Sequence, residues 1–85
     1  MAITMLYFAW VRERVGIGEE VIDPPEVVRN VADLIDWLSR RSDGHAAALS
    51  EPAKLRAAID QRFVGLDAEL GNAREVALFP PVTGG

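Results

Sequence analysis

Eighty-five residues, 49% of them hydrophobic, suffice for one domain with one modest core, not two, and exclude wholesale disorder. The absence of cysteine excludes a thiol nucleophile, a disulfide and a thiolate metal site within the chain. Thirteen acids against nine scattered bases give a net charge of −4, which argues against nucleic acid and favours a protein partner with a basic cleft.

In chain order, Ile3 to Phe8 is almost all apolar, which predicts a central strand covered on both faces. The apolar run from Ile3 to Val11, broken only by Thr4, is far too short to span a bilayer. It also lacks the basic start and cleavage site of a signal peptide, so a soluble cytoplasmic protein with no membrane partner is expected. Val11 and Val15, four apart in Ala9 to Val15, fit a single short helical turn stopped by Gly16. Glu19 to Asp23 reads as a short strand, ended by Pro24-Pro25 because proline donates nothing to a ladder.

Val31 to Arg41 is the clearest helix: Val31, Leu34, Ile35 and Leu38 form one apolar stripe at i, i+3, i+4 and i+7. Asn30 is its expected N-cap, Asp33 lies in its first turn, and Arg40 and Arg41 are placed in its last turn, where the dipole favours cations. Ser42-Asp43-Gly44 is expected to close it, and His45 to Leu49 to add a short helical turn before Pro52. Leu55 to Val64 reads as strand, split into a hairpin by a tight turn near Asp60-Gln61. Gly71-Asn72 signals a turn, and Glu75 to Phe79 is the last strand. The order strand, strand, helix, strand, strand is solved economically by an α+β fold, a mixed sheet with the main helix packed across one face. In the β-grasp version the first and last strands pair in parallel at the centre. The domain is expected over residues 1–79 and an extended tail over 80–85.

The tail is a chemical device. Pro80 and Pro81 stiffen it and remove backbone donors. Pro80, Pro81, Val82, Thr83, Gly84 and Gly85 reach roughly 20 Å at about 3.3 Å per residue. Gly84 and Gly85 remove side chains from the tip, so it fits a narrow channel and offers only the Gly85 carboxylate. A frayed terminus is the bland alternative. Phe79, at the exit of the last strand, stands where a partner must grip the tail; core and interface readings are balanced there.

Three stretches carry a resemblance to a known family. Leu6-Tyr7-Phe8-Ala9-Trp10-Val11-Arg12-Glu13, Ala57-Ala58-Ile59-Asp60-Gln61 and, most specifically, Glu75 to Gly85 resemble the molybdopterin synthase small subunit family (MoaD), ubiquitin-like sulfur carriers. One departure is Gly71-Asn72-Ala73-Arg74, where the family commonly has an acidic-glycine turn. The resemblance implies a ubiquitin-like β-grasp fold and a noncatalytic sulfur-donor subunit. An E1-like enzyme would adenylate Gly85, a sulfurtransferase would supply persulfide sulfur, and the resulting thiocarboxylate would enter the large synthase subunit in a heterotetramer. There it would provide the dithiolene sulfur of molybdopterin. ATP and Mg²⁺ would be used by the activating partner, with no cofactor bound by this chain and catalytic chemistry resting on Gly85. Phe79, Pro80, Pro81, Val82, Thr83 and Gly84 would form the partner-binding strip. Delivery to thiamine or cysteine biosynthesis, conjugation to lysines, and an inert interaction module are the alternatives.

Elsewhere the bland readings prevail. His45, the sole histidine, reads as a surface or helix-end residue, not a metal ligand. Glu19-Glu20 and Asp33/Asp36 read as solvated faces. Ser39, Ser42 and Ser50 lack a partner set for a triad. Gly16-Ile17-Gly18 lacks the rest of a phosphate-binding fingerprint. Arg12-Glu13-Arg14 is a surface charge cluster or an interface. Trp10, Trp37 and Phe63 are expected in the core or half-buried.

Overall fold

A computed structural model of the chain describes residues 2–81; Met1 and residues 82–85 lie outside it. The elements are β1 (Ile3–Tyr7), α1 (Ala9–Val15), β2 (Glu19–Ile22), α2 (Val31–Ser39), α3 (Asp43–Leu49), a 3-10 turn (Pro52–Lys54), β3 (Arg56–Ile59), β4 (Arg62–Val64) and β5 (Glu75–Phe79). The sheet order is β2-β1-β5-β3-β4. Central β1 and β5 run parallel, with Met5 opposite Val76 and Tyr7 opposite Leu78, and the other pairings are antiparallel. This is the mixed α+β sheet of the β-grasp arrangement.

One face of the sheet meets the helices. Ile3, Met5, Tyr7, Ile22, Ala57, Val76 and Leu78 form a single core with Val11, Leu34, Ile35, Leu38, Ala48 and Leu49. Burying each large apolar side chain there contributes about 1.5–3 kcal/mol. The stripe read from the sequence is the buried stripe of α2. At its start the Asn30 side-chain Oδ1 accepts from the Asp33 amide at 2.8 Å, and the Asp33 carboxylate accepts from the Arg29 amide at 3.1 Å. Two otherwise orphaned amides are satisfied. Gly16 closes α1 in the left-handed region, φ 98°, its N–H donating to the Arg12 carbonyl.

Several expectations are corrected. α2 ends at Ser39, because the Arg40 and Arg41 amides bond to the Trp37 and Leu38 carbonyls three residues back, a tight closing turn. Both arginines therefore lie past the last helical turn. Ser42-Asp43-Gly44 opens a helix instead of closing one: the Ser42 hydroxyl accepts from the His45 amide at 3.1 Å and caps α3. The hairpin turn is real, with Asp60 and Gln61 both left-handed at φ 48° and 70°, the backbone of a two-residue type I′ connection.

β1 is covered on one face only. Ile3, Met5 and Tyr7 are buried, whereas Thr4 and Leu6 are partly exposed and Phe8, just beyond the strand, is 49% exposed. The helices all pack against the first set, and among the described residues nothing covers the second. The apolar run, broken only by Thr4, signals two faces that both shun water, one of them left open.

Candidate functional site

The open face is the ground from which the tail leaves. β5 lies between β1 and β3, and its buried Val76 and Leu78 anchor it to the core. Ala77, between them, faces the open side opposite Leu6 of β1 and Ala58 of β3. Small side chains at Ala58 and Ala77 leave a shallow depression of about 560 Å³, walled by Leu6, Phe8, Phe63 and Phe79. The Phe8 amide donates to the Leu78 carbonyl at 3.2 Å and fixes one wall to the last strand.

Phe79 ends the strand opposite Arg56 and is half-buried, its ring 5.7 Å from that of Phe63. It belongs to the wall of the open groove, not to the core cluster. Pro80 follows, half-buried, and Pro81 is exposed; neither can donate, so the ladder stops at Phe79. Val82, Thr83, Gly84 and Gly85, the rest of the expected strip and its reactive carboxylate, lie outside the described residues.

Phe63 is the residue that sequence reasoning misplaced. Expected in the core or half-buried, it is 83% exposed, because the type I′ turn sets the β4 register and places it opposite Ala58 on the open face. Trp10 and Trp37 are half-buried as expected, each under an arginine: Arg14 over Trp10 at 4.6 Å and Arg41 over Trp37 at 5.1 Å. Arg12, Glu13 and Arg14 are exposed on α1.

A second cluster was not legible in the sequence. His45 is buried, its Nε2 2.6 Å from Glu20 Oε2 and its Nδ1 2.7 Å from the Ser42 hydroxyl. The same Glu20 oxygen accepts from the Tyr7 hydroxyl at 2.7 Å, and Arg41 lies 3.5 Å from Oε1. An ionised carboxylate only accepts, so Nε2 donates to Glu20, and Nδ1 and the Ser42 hydroxyl share a hydrogen bond. His45 is thus not a surface residue, and Glu20 is not a solvated acid. Burial pushes the Glu20 carboxyl up, but the hydrogen bonds from His45 and Tyr7 and the neighbouring positive charge outweigh it and hold it below its ordinary value. Burial, reinforced by Glu20, raises the Tyr7 hydroxyl well above the usual range.

Ser42, His45 and Glu20 stand in line like a triad, which the sequence spacing did not reveal. They make a poor nucleophile. The Ser42 oxygen is already the cap acceptor of α3, and the imidazole that would serve it is buried against Tyr7, 6.0 Å away edge to face. The cluster joins α3 to β1 and β2. Among the described residues no group of three or more His, Cys, Asp or Glu side chains is placed to hold a metal, and no helix is long and apolar enough to cross a membrane.

Comparison with known proteins agrees with this geometry. The ThiS family model matches residues 5–85. The chain is 44% identical to the molybdopterin synthase sulfur carrier subunit of Escherichia coli, over 98% of this chain and 99% of that one. It is 37% identical to the protein of the same name from Haemophilus influenzae, with the same coverage. Among solved structures, a Pyrococcus furiosus protein described as molybdopterin converting factor, subunit 1, superposes with a TM-score of 0.77 at 32% identity, covering 96% of this chain and 99% of that one. A β-grasp sheet that brings a Pro-Pro tail off an open apolar face, together with a family match over nearly the whole length, establishes that the chain belongs to the ThiS/MoaD family.

Proposed function

We propose that this chain is the sulfur carrier subunit of a molybdopterin synthase, working through the Gly85 carboxylate. The observation that carries the reading is the placement of Phe79-Pro80 at the rim of an open apolar face, with the sequence Pro81-Val82-Thr83-Gly84-Gly85 beyond it. The names of the relatives support the pathway. The face docks a partner and the tail carries the reactive end away from it.

A carboxylate is a poor electrophile, so an E1-like partner uses ATP and Mg²⁺ to form the Gly85 acyl-adenylate and pyrophosphate. The terminal sulfur of a sulfurtransferase persulfide displaces AMP, and a thiol cleaves the remaining S–S bond to leave a thiocarboxylate. The large synthase subunit receives the tail, the thiocarboxylate sulfur bonds to the pterin precursor, and water cleaves the acyl–sulfur bond, returning Gly85 to a carboxylate. A dithiolene has two sulfurs, so two such deliveries complete one product. This chain supplies no catalytic side chain; it binds, positions and presents. Phe79, Pro80, Pro81, Val82, Thr83 and Gly84 form the strip that the partner grips.

Reconstitution tests the reading. Thiocarboxylated protein is mixed with cyclic pyranopterin monophosphate and a large synthase subunit, and dithiolene product is assayed beside a parallel reaction with a thiazole-forming synthase. Product in the first reaction only is expected; sulfur delivered only to thiazole overturns the pathway and leaves the carrier chemistry standing.

A further inference from the structure

The open face is not purely apolar: among the described residues one cation stands on it, beside the root of the tail. Arg56 opens β3 directly opposite Phe79. Side chains alternate along a strand, and Ala57 is buried on the helix side, so Arg56 shares the open side with Ala58. It lines a smaller pocket beside the groove, the two sharing Phe63 and Phe79 as a common wall. Its Nη1 donates to the Leu55 carbonyl at 2.9 Å and to the Ala53 carbonyl at 3.4 Å, which holds the guanidinium in place. Among the described residues no carboxylate lies within ion-pair distance of it, in a chain with a net charge of −4. Glu75, at the opposite end of β5, lines the groove, so this face of the sheet is positive where the tail begins and negative at the other end.

We propose that Arg56 is a docking residue that pairs with a carboxylate of the large synthase subunit beside the tail channel, fixing the direction in which the open face is laid down. The proposal rests on the sulfur-carrier reading. An apolar patch alone gives affinity with little orientation, whereas a charge at one end penalises the reversed pose. A guanidinium already held by two carbonyls loses little side-chain freedom on pairing. A protein carboxylate fits better than a phosphate of ATP or of the pterin, because the reacting groups meet the tip of the tail, and six extended residues can span up to roughly 20 Å at about 3.3 Å per residue.

The test measures binding of the whole chain to its cognate large subunit at several salt concentrations. Arg56→Glu is expected to weaken binding about tenfold or more in low salt, with the difference shrinking as salt screens the pair. Arg56→Lys keeps the charge and is expected to retain most of the affinity. Arg62 pairs with Ile59, which faces the core side, so Arg62→Ala on the other face is the control and leaves binding unchanged. Melting curves of each variant confirm that it is folded. Parent-like binding by folded Arg56→Glu overturns the proposal and spares the carrier reading. Failure of the parent chain to bind any large subunit overturns both.

Discussion

The rings of Phe63 and Phe79 lie 5.7 Å apart at 52°, meeting across β3 from the two strands that flank it. Such a tilted contact between an exposed ring and a half-buried one makes a preformed hydrophobic wall. Phe63 buries little in the free chain, so Phe63→Ala is expected to change folding stability by no more than about 0.5 kcal/mol. On the partner the same ring is covered, and its loss is expected to cost about 1.5–3 kcal/mol, or roughly ten- to a hundredfold in affinity. Phe79→Ala should behave alike. Because the rings touch, the double variant should lose less than the sum of the two, as titration calorimetry of a double-mutant cycle would show. Fully additive losses would mean that the contact does not organise the wall.

Gly44 tests how tightly α3 is seated. A Cβ there would come within 2.7 Å of the Arg14 carbonyl oxygen and 2.8 Å of that of Val15. These are backbone atoms at the end of α1, which cannot swing aside. Alanine gains roughly 1 kcal/mol in intrinsic helix propensity over glycine, yet the clash should dominate. Gly44→Ala is expected to destabilise the fold by about 1–3 kcal/mol net, lowering the melting temperature by about 4–8 °C per kcal/mol. A melting temperature equal to or above the parent's would show that the two helices have room to part.

Much of this arrangement was legible in the sequence because it rests on local rules. The α2 stripe, the Asn30 cap, the Gly16 stop and the span of β5 follow from periodicity, capping and proline. What escaped depends on pairs distant in sequence. Nothing around His45 announces Glu20, 25 residues away, as its partner. Phe63 reads as core by composition, and only the hairpin register turns it outward. The apolar run in β1 reads as burial on both faces because sequence does not distinguish a covered face from one awaiting a partner. The tail was read from Pro80 to Gly85 as a presented carboxylate, and its sulfur chemistry from the family resemblance; of these residues only Pro80 and Pro81 are among those described.

The turn Asp60-Gln61 separates two roles. Both residues carry left-handed φ angles, which cost non-glycine residues about 1–2 kcal/mol. Gln61→Gly relieves that strain against a backbone entropy cost of roughly 0.5–1 kcal/mol, so a slight stabilisation is expected. Asp60 is different, because its Oδ1 accepts from the Arg74 and Glu75 amides, each at 3.0 Å, and ties the hairpin to the start of β5. Asp60→Ala should lose about 1–3 kcal/mol. Chemical denaturation of both variants checks the contrast; equal changes of the same sign would refute it.

The Glu20 cluster gives a pH dependence with a definite sign. Its carboxyl is held below the ordinary value of 4.5, chiefly because His45 and Tyr7 donate to the ionised form and overcome the cost of burial. A group whose folded value is lowered binds fewer protons in the folded state than in the unfolded one. Its contribution is therefore complete above the ordinary value and is lost as the pH falls through the lower folded one. Glu20→Gln removes this titration but keeps a similar shape. The variant should melt below the parent near neutral pH, since it gives up the charged hydrogen bonds to His45 and Tyr7 and the attraction of Arg41. Below the ordinary carboxyl value the parent should lose stability more steeply, and the two melting curves should converge. His45→Gln in the same series separates the partners, because the Tyr7 hydroxyl still donates to Glu20 and a weaker acid slope should persist. A constant gap between parent and Glu20→Gln across the whole acid range would show that the carboxylate's charge plays no part in holding α3 to the sheet.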